Sequence, residues 1–228
     1  MKQQHCALVS TSGALLHKSQ GALIDQHRIV ARVGMGPTPP HLQTFVGSVT
    51  TVRFVAISIF KPGKGNLTDL AKLARNTSLV YFMDNIWDKA CPKKVANFHN
   101  KSRLHPPVCI NKFNKCMEHL GLRFTPSSGF QSLLFLFKMF ACDQVRLFGF
   151  ETSPKSSYHY WTDGSVHDNV SSSQWFEQRK DLKKHDFERE HFILHHYFGR
   201  NSALVLRTSV LHYLKDSCFF QNLTGRHW

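Results

Sequence analysis

Two clusters of small hydroxyl residues beside a glycine stand where a backbone can meet an anion. Thr11-Ser12-Gly13 follows the apolar Ala7–Val9, and Ser127-Ser128-Gly129 precedes the apolar stretch Phe130–Cys142. A glycine in such a turn lets backbone N–H groups approach a ligand closely. The start of a helix adds unpaired N–H groups and a dipole that favours a phosphate. The chain contains no G-x-G-x-x-G and no G-K-[ST], so neither a dinucleotide fingerprint nor a P-loop is present. Among 15 histidines the dense group is His191, His195 and His196, which lacks cysteine or carboxylate partners at ligand spacing. No D-x-D pair follows an apolar strand, so metal-assisted nucleotide-sugar chemistry finds no support, and no metal site is expected.

The elements that would position these clusters alternate along the chain. Ala7–Val9, Ile29–Val33, Thr51–Phe60, Leu79–Met83, Gln144–Phe150 and Ala203–Leu206 are apolar runs of strand length. Between them Ala14–Gln20 reads as a helical turn or short helix, and Leu70–Arg75, Phe130–Cys142 and His185–Phe198 read as helices, Phe130–Cys142 with its N-cap in the Ser127-Ser128-Gly129 cluster. Gly34–Pro40 is a loop by its Gly and Pro content. Strands alternating with helices predict a single α/β domain with a largely parallel sheet. Residues 91–125 are basic and contain cysteines, and they show no clear period.

Composition narrows the class. Hydrophobic residues make up 42% of 228 and aromatics 12%, enough for one substantial packed core. The formal charge of +14 suits an anionic partner. The basic residues are scattered, with no long Lys/Arg run and no recognition-helix or RNA-binding aromatic pattern, so nucleic acid is not the expected partner. No stretch approaches the roughly 18–20 apolar residues of a membrane helix. Five N-x-[ST] sequons, at Asn66, Asn76, Asn100, Asn169 and Asn222, exceed the one or two that ten asparagines would give by chance. Together with six cysteines they place the chain in an oxidising, glycosylating compartment. A lumenal domain without its targeting segment accounts for this combination.

The two segments Cys6–Arg32 and Pro126–Phe150 together resemble the large and small motifs of the animal sialyltransferases. The large motif is matched by Cys6, Ser12-Gly13, Gly21, Ile24-Asp25, Val30 and Arg32, and the small motif by Ser127, Ser128, Gly129, Cys142, Val145 and Gly149. Tyr158-His159-Tyr160-Trp161 resembles the third motif, and His185, Phe187 and Glu190 fit the H-x-F-x-x-E form of the very small motif. The four stand in the family's order from Cys6 to about Arg200. Pro37-Thr38, Val46-Gly47, Thr51 and Arg53 extend the likeness toward the N-acetylgalactosaminide α2,6-sialyltransferases of the ganglioside and O-glycan branch.

The resemblance implies a Rossmann-like catalytic domain of variant GT-A type over residues 1–228, with its N-terminal anchor and stem absent. The full-length form would then be a type II Golgi membrane protein. CMP-sialic acid would be the donor and a glycoprotein or glycolipid the acceptor, with α2,6 transfer to GalNAc (or Gal) favoured and no metal or other cofactor. Thr11, Ser12, Gly13, Gly34, Ser127, Ser128, Gly129 and Tyr158 would line the donor. His159 would help CMP leave, His185 would be the base of an inverting single displacement, and Glu190 would order the site. Cys6 and Cys142 match the family's bridge between the two motifs, while pairing of Cys91, Cys109, Cys116 and Cys218 stays open. At two positions where the family's large motif carries asparagine, this chain has Thr11 and Gly34. A glycine supplies no side-chain amide, and from this arises the rival expectation of a catalytically degenerate relative acting as a lumenal glycan-binding or scaffold protein.

Overall fold

The computed structural model describes residues 4–56, 67–74, 77–83, 108–110, 126–140, 142–150, 156–157, 159–161, 190, 192, 194 and 205–207. Seven strands form one sheet: β1 (His5–Val9), β2 (Ile29–Val33), β3 (Val52–Ala56), β4 (Leu79–Met83), β5 (Val108–Ile110), β6 (Gln144–Phe148) and β7 (Val205–Arg207). Their spatial order is β5-β4-β3-β2-β1-β6-β7. Neighbours run parallel throughout except β7, which pairs antiparallel with β6 at the edge. The α/β architecture with a largely parallel sheet is the one expected from the alternation of elements.

Both faces are covered, which is why the central strands read as continuous apolar runs rather than alternating ones. On one face lies α4 (Ser128–Phe140), whose Phe130, Leu133, Leu134, Phe135 and Leu136 pack on Leu8, Ala31, Val33, Val52 and Phe54. Full burial of each such large side chain stabilises by roughly 1.5–3 kcal/mol. The helix begins where the sequence suggests: the Ser127 Oγ accepts from the Phe130 N–H at 3.2 Å, an N-cap bond. On the other face a 3₁₀ turn (Gly13–His17), α1 (Gly21–Asp25) and α2 (Gln43–Val46) bury Leu15, Ile24 and Val46 against Ala7, Val9, Val30 and Phe148. A further helix, α3, spans Leu67–Ala74.

Several boundaries differ from the sequence reading. The helical turn or short helix expected over Ala14–Gln20 is the 3₁₀ turn Gly13–His17, ending earlier because Lys18 returns to extended backbone. The strand expected to reach Phe150 stops at Phe148, with Gly149 at φ 75° turning the chain away. Among the described residues no helix is long and apolar enough to cross a membrane.

Cys6 and Cys142 are joined in a disulfide, with Cα atoms 6.0 Å apart across a sequence separation of 136. The bridge ties the beginning of β1 to the chain just after α4. Gln4 and Asp143 reinforce it, through the Gln4 N–H to the Asp143 carboxylate at 2.5 Å and the Asp143 N–H to the Gln4 carbonyl at 2.9 Å.

Candidate active site

Sheet topology fixes where a ligand belongs. From β1 the chain adds β2, β3, β4 and β5 on one side, and β6 then appears on the opposite side of β1. Such a reversal leaves a crevice beyond the carboxyl ends of the two strands, the usual ligand site of open α/β sheets. The turn after β1 and the turn after β6 meet there. The Ser10 N–H donates to the Phe148 carbonyl at 2.9 Å, and the Ser10 hydroxyl donates to the Gly149 carbonyl at 2.5 Å. Because α4 precedes β6 and runs back along it, its N-terminus comes to the same edge. A Cβ placed on Gly129 would lie 2.9 Å from the Phe150 ring, so a side chain here would require that ring to shift.

Ser157 and Tyr160 hold on to the turn after β1. The Gly13 N–H donates to the Ser157 carbonyl at 3.0 Å, and the Tyr160 N–H donates to the Thr11 carbonyl at 3.0 Å. The His159 ring stacks on Trp161, with centroids 4.4 Å apart and planes 7° from parallel, which fixes the imidazole's orientation. The Tyr160 hydroxyl donates to the Pro37 carbonyl at 2.6 Å, and burial pushes the phenol up to about 12, so it remains a donor.

The turn after β1 does not offer its amides as the sequence suggests. The Ser12 N–H goes to the Ser10 Oγ, Gly13 to Ser157, Ala14 to the Ser12 Oγ and Leu15 to the Ser12 carbonyl. Ser12 therefore acts as a cap, and the turn is a fixed wall rather than an open nest of donors. The Gly34 N–H likewise donates to the Phe54 carbonyl at 2.7 Å, and its φ is 63°. Among the described residues, the start of α4 is open to an anion, since Ser128 and Gly129 occupy first-turn positions that have no intrahelical acceptor.

Glu190 is buried at 4% exposure and reaches that helix start from 63 residues away. Its carboxylate accepts from the Ser127 N–H at 2.5 Å and the Ser127 hydroxyl at 2.6 Å. A buried carboxylate on a helix N-terminus is favourably placed by dipole and charge-assisted bonds. It couples the segment around residue 190 to the helix rather than standing in solvent.

The structure thus brings together Thr11, Ser12, Gly13, Gly34, Ser127, Ser128, Gly129, His159 and Glu190 around one edge of the sheet. Tyr158, His185, the histidines at 191, 195 and 196, and the sequon residues Asn66, Asn76, Asn100, Asn169 and Asn222 lie outside the described residues.

Other motif residues prove to be scaffold. The Arg32 guanidinium donates to the Val46 and Val49 carbonyls and the Thr50 hydroxyl, while the Asp25 carboxylate accepts from Ser48 and Val49. Sequence reasoning missed Arg53 and Tyr160 as partners of the Gly34–Pro37 loop. The available signal was an arginine in the otherwise apolar strand Val52–Ala56.

A family model described as Glycosyltransferase family 29 (sialyltransferase) matches residues 1–200. The chain is 29% identical over 167 residues to the human CMP-N-acetylneuraminate-beta-galactosamide-alpha-2,3-sialyltransferase 1, over 69% of this chain and 48% of that protein. It is 25% identical over 210 residues to the beta-1,6-galactosyltransferase GALT29A of Arabidopsis thaliana, over 82% of this chain and 48% of that protein. The chain spans about half the length of the curated relatives it matches. A crystal structure of a mammalian sialyltransferase in complex with Gal-beta-1-3GalNAc-ortho-nitrophenol shares the fold, with TM-score 0.52 and 22% identity over 80% of this chain and 66% of that one.

Proposed function

The chain belongs to glycosyltransferase family 29, the sialyltransferases, and from that premise we propose that it moves sialic acid from CMP-sialic acid to a GalNAc or Gal hydroxyl of a glycoprotein or glycolipid. The observation that carries this reading is the meeting of the large, small and third motifs at the switch point between β1 and β6. There the N-terminus of α4 offers N–H groups and a positive dipole end to the donor's phosphate.

His159, held against Trp161, polarises the departing CMP phosphate, where charge develops as the glycosidic bond breaks. His185 takes the proton from the acceptor hydroxyl as its oxygen attacks the anomeric carbon opposite CMP. One C–O bond forms, the bond to phosphate breaks with its electron pair leaving on CMP, and the configuration inverts. Tyr158 is assigned to the donor and Glu190 to ordering the site. The reading needs no metal. The Golgi lumen is the proposed location, with Asn66, Asn76, Asn100, Asn169 and Asn222 as glycosylation candidates.

The α2,6 linkage to GalNAc is the finer proposal, supported by the likeness at Pro37-Thr38, Val46-Gly47, Thr51 and Arg53. The named relatives differ in linkage and in donor sugar, so product analysis tests it. With CMP-sialic acid and separate GalNAc- and Gal-terminated acceptors, NMR of the product should show an inverted, α2,6-linked sialic acid on GalNAc. A 2,3-linked product would overturn the linkage. Turnover of UDP-galactose with none of CMP-sialic acid would overturn the donor.

Gly34 supplies a graded test of the donor pocket. A Cβ built on it meets only the Thr11 methyl, at 3.6 Å, so there is room for a side chain on that side. Asparagine tolerates positive φ better than other side-chain residues. Gly34→Asn is therefore expected to tighten CMP binding several-fold, as one added hydrogen bond of about 0.5–1.5 kcal/mol would, with a small loss in melting temperature. Calorimetric titration of CMP into both proteins checks this, and weaker binding by the variant would show that the loop tolerates only glycine.

A further inference from the structure

We infer that Arg53 is a positioning residue of the donor site, holding the Gly34–Gly36 loop in shape from inside the sheet. The inference rests on reading that loop as part of a CMP-sugar site. Arg53 lies on β3 in a run that is otherwise apolar, and its side chain is 1% exposed. Burying a charge is unfavourable unless its donors are used. One guanidinium nitrogen, Nη1, donates to both the Gly34 carbonyl at 2.9 Å and the Gly36 carbonyl at 3.1 Å. The Gly34 N–H returns to β3 through the Phe54 carbonyl. From the other side the Tyr160 hydroxyl holds the Pro37 carbonyl, and the Tyr160 N–H holds Thr11. The loop is thereby fixed between a buried cation and a buried phenol, and linked to the turn after β1.

The Arg53 Nε has no hydrogen-bond partner among the described residues. Burial and the neighbouring Arg32 charge lower the guanidinium to about 10, so it still carries its charge at neutral pH. That positive field lies beneath loops assigned to an anionic donor, and it acts in a low-dielectric interior where salt screens little. Arg32 is the internal contrast. It is Arg53's register partner on β2 and equally buried, yet it grips the carbonyls of Val46 and Val49 instead.

The test is calorimetric titration of CMP, with donor KM and kcat, on the 228-residue chain carrying Arg53→Met, Arg53→Lys or Arg32→Met. Arg53→Met frees the Gly34 and Gly36 carbonyls and should raise both the CMP Kd and the donor KM about tenfold through the loosened loop, with kcat at saturating donor within about threefold. Arg53→Lys, which keeps the charge and a donor, should recover most of the affinity. Arg32→Met should lower the melting temperature while leaving the CMP Kd within about twofold. If Arg53→Met does not fold, Arg53→Gln carries the test, because an amide can still hold one carbonyl, and its CMP affinity should fall several-fold. An affinity for CMP that survives in Arg53→Met or Arg53→Gln, or that falls no further than in Arg32→Met, overturns the inference alone. A wild-type protein that does not bind CMP overturns the donor-site reading and this inference with it.

Discussion

Replacing His185 with alanine should lower turnover roughly 10²–10⁴-fold while leaving CMP affinity within about twofold. The acceptor hydroxyl is a poor nucleophile until a base removes its proton in the transition state, and no other group in the proposed constellation has that task. His159 is assigned to the departing phosphate in the proposed mechanism, and Glu190 is committed to Ser127 through both of its oxygens. Because the base touches the acceptor rather than the nucleotide, its loss should appear in kcat and not in donor binding. Steady-state kinetics beside CMP titration separates these outcomes. Full turnover in His185→Ala would remove the histidine from the mechanism, and a parallel loss of CMP affinity would move it to the donor side.

The second large effect is on stability. The bond between Cys6 and Cys142 closes a loop of 136 residues, for which the chain-entropy model gives about 5 kcal/mol, with native disulfides commonly worth about 2–5. A domain's whole stability is of order 5–15 kcal/mol. The double variant Cys6→Ala, Cys142→Ala should therefore melt about 10 °C or more below wild type. Both half-cystines lie at the end of the sheet opposite the crevice, since Cys6 is the second residue of β1 and the binding turn follows its last. CMP affinity of the folded variant should accordingly change less than about threefold. Scanning calorimetry and CMP titration below the transition check both halves. An unchanged melting temperature would show that the parallel pairing of β1 with β6 holds the two motifs together without the bridge.

How much of this was legible in the chain depended on the range of the interaction. Ile29–Val33 and Leu79–Met83 match their predicted bounds because strands of a parallel sheet covered on both faces form runs rich in apolar residues. Val108–Ile110 escaped notice, as three residues following Pro106-Pro107 carry no period that could be read. The short helices Gly21–Asp25 and Gln43–Val46 are likewise too brief for a 3.6-residue pattern to register.

At the candidate site, the hydrogen-bond partners of the singled-out residues come from distant parts of the chain. Thr11-Ser12-Gly13 reads as an anion nest, yet Ser157, more than 140 residues away, takes the Gly13 amide. Glu190 is expected from the motif to order the site, and the fold adds what it holds, the Ser127 N–H and hydroxyl. Arg53 looks anomalous in its strand, but its reason is the pair of carbonyls in the Gly34–Gly36 loop. Local pattern reports periodicity and turn chemistry. Which donors are already satisfied is decided by tertiary contacts.

The central claim, that this chain is a working transferase for CMP-sialic acid, is tested most directly by CMP release from CMP-sialic acid by the wild-type protein, with and without a GalNAc-terminated acceptor. The expected result is slow release without acceptor and release many times faster with it, matched mole for mole by sialylated product. CMP binding accompanied by no acceptor-dependent release from any GalNAc- or Gal-terminated acceptor would contradict the account and identify the chain as a relative that keeps the donor fold without the chemistry.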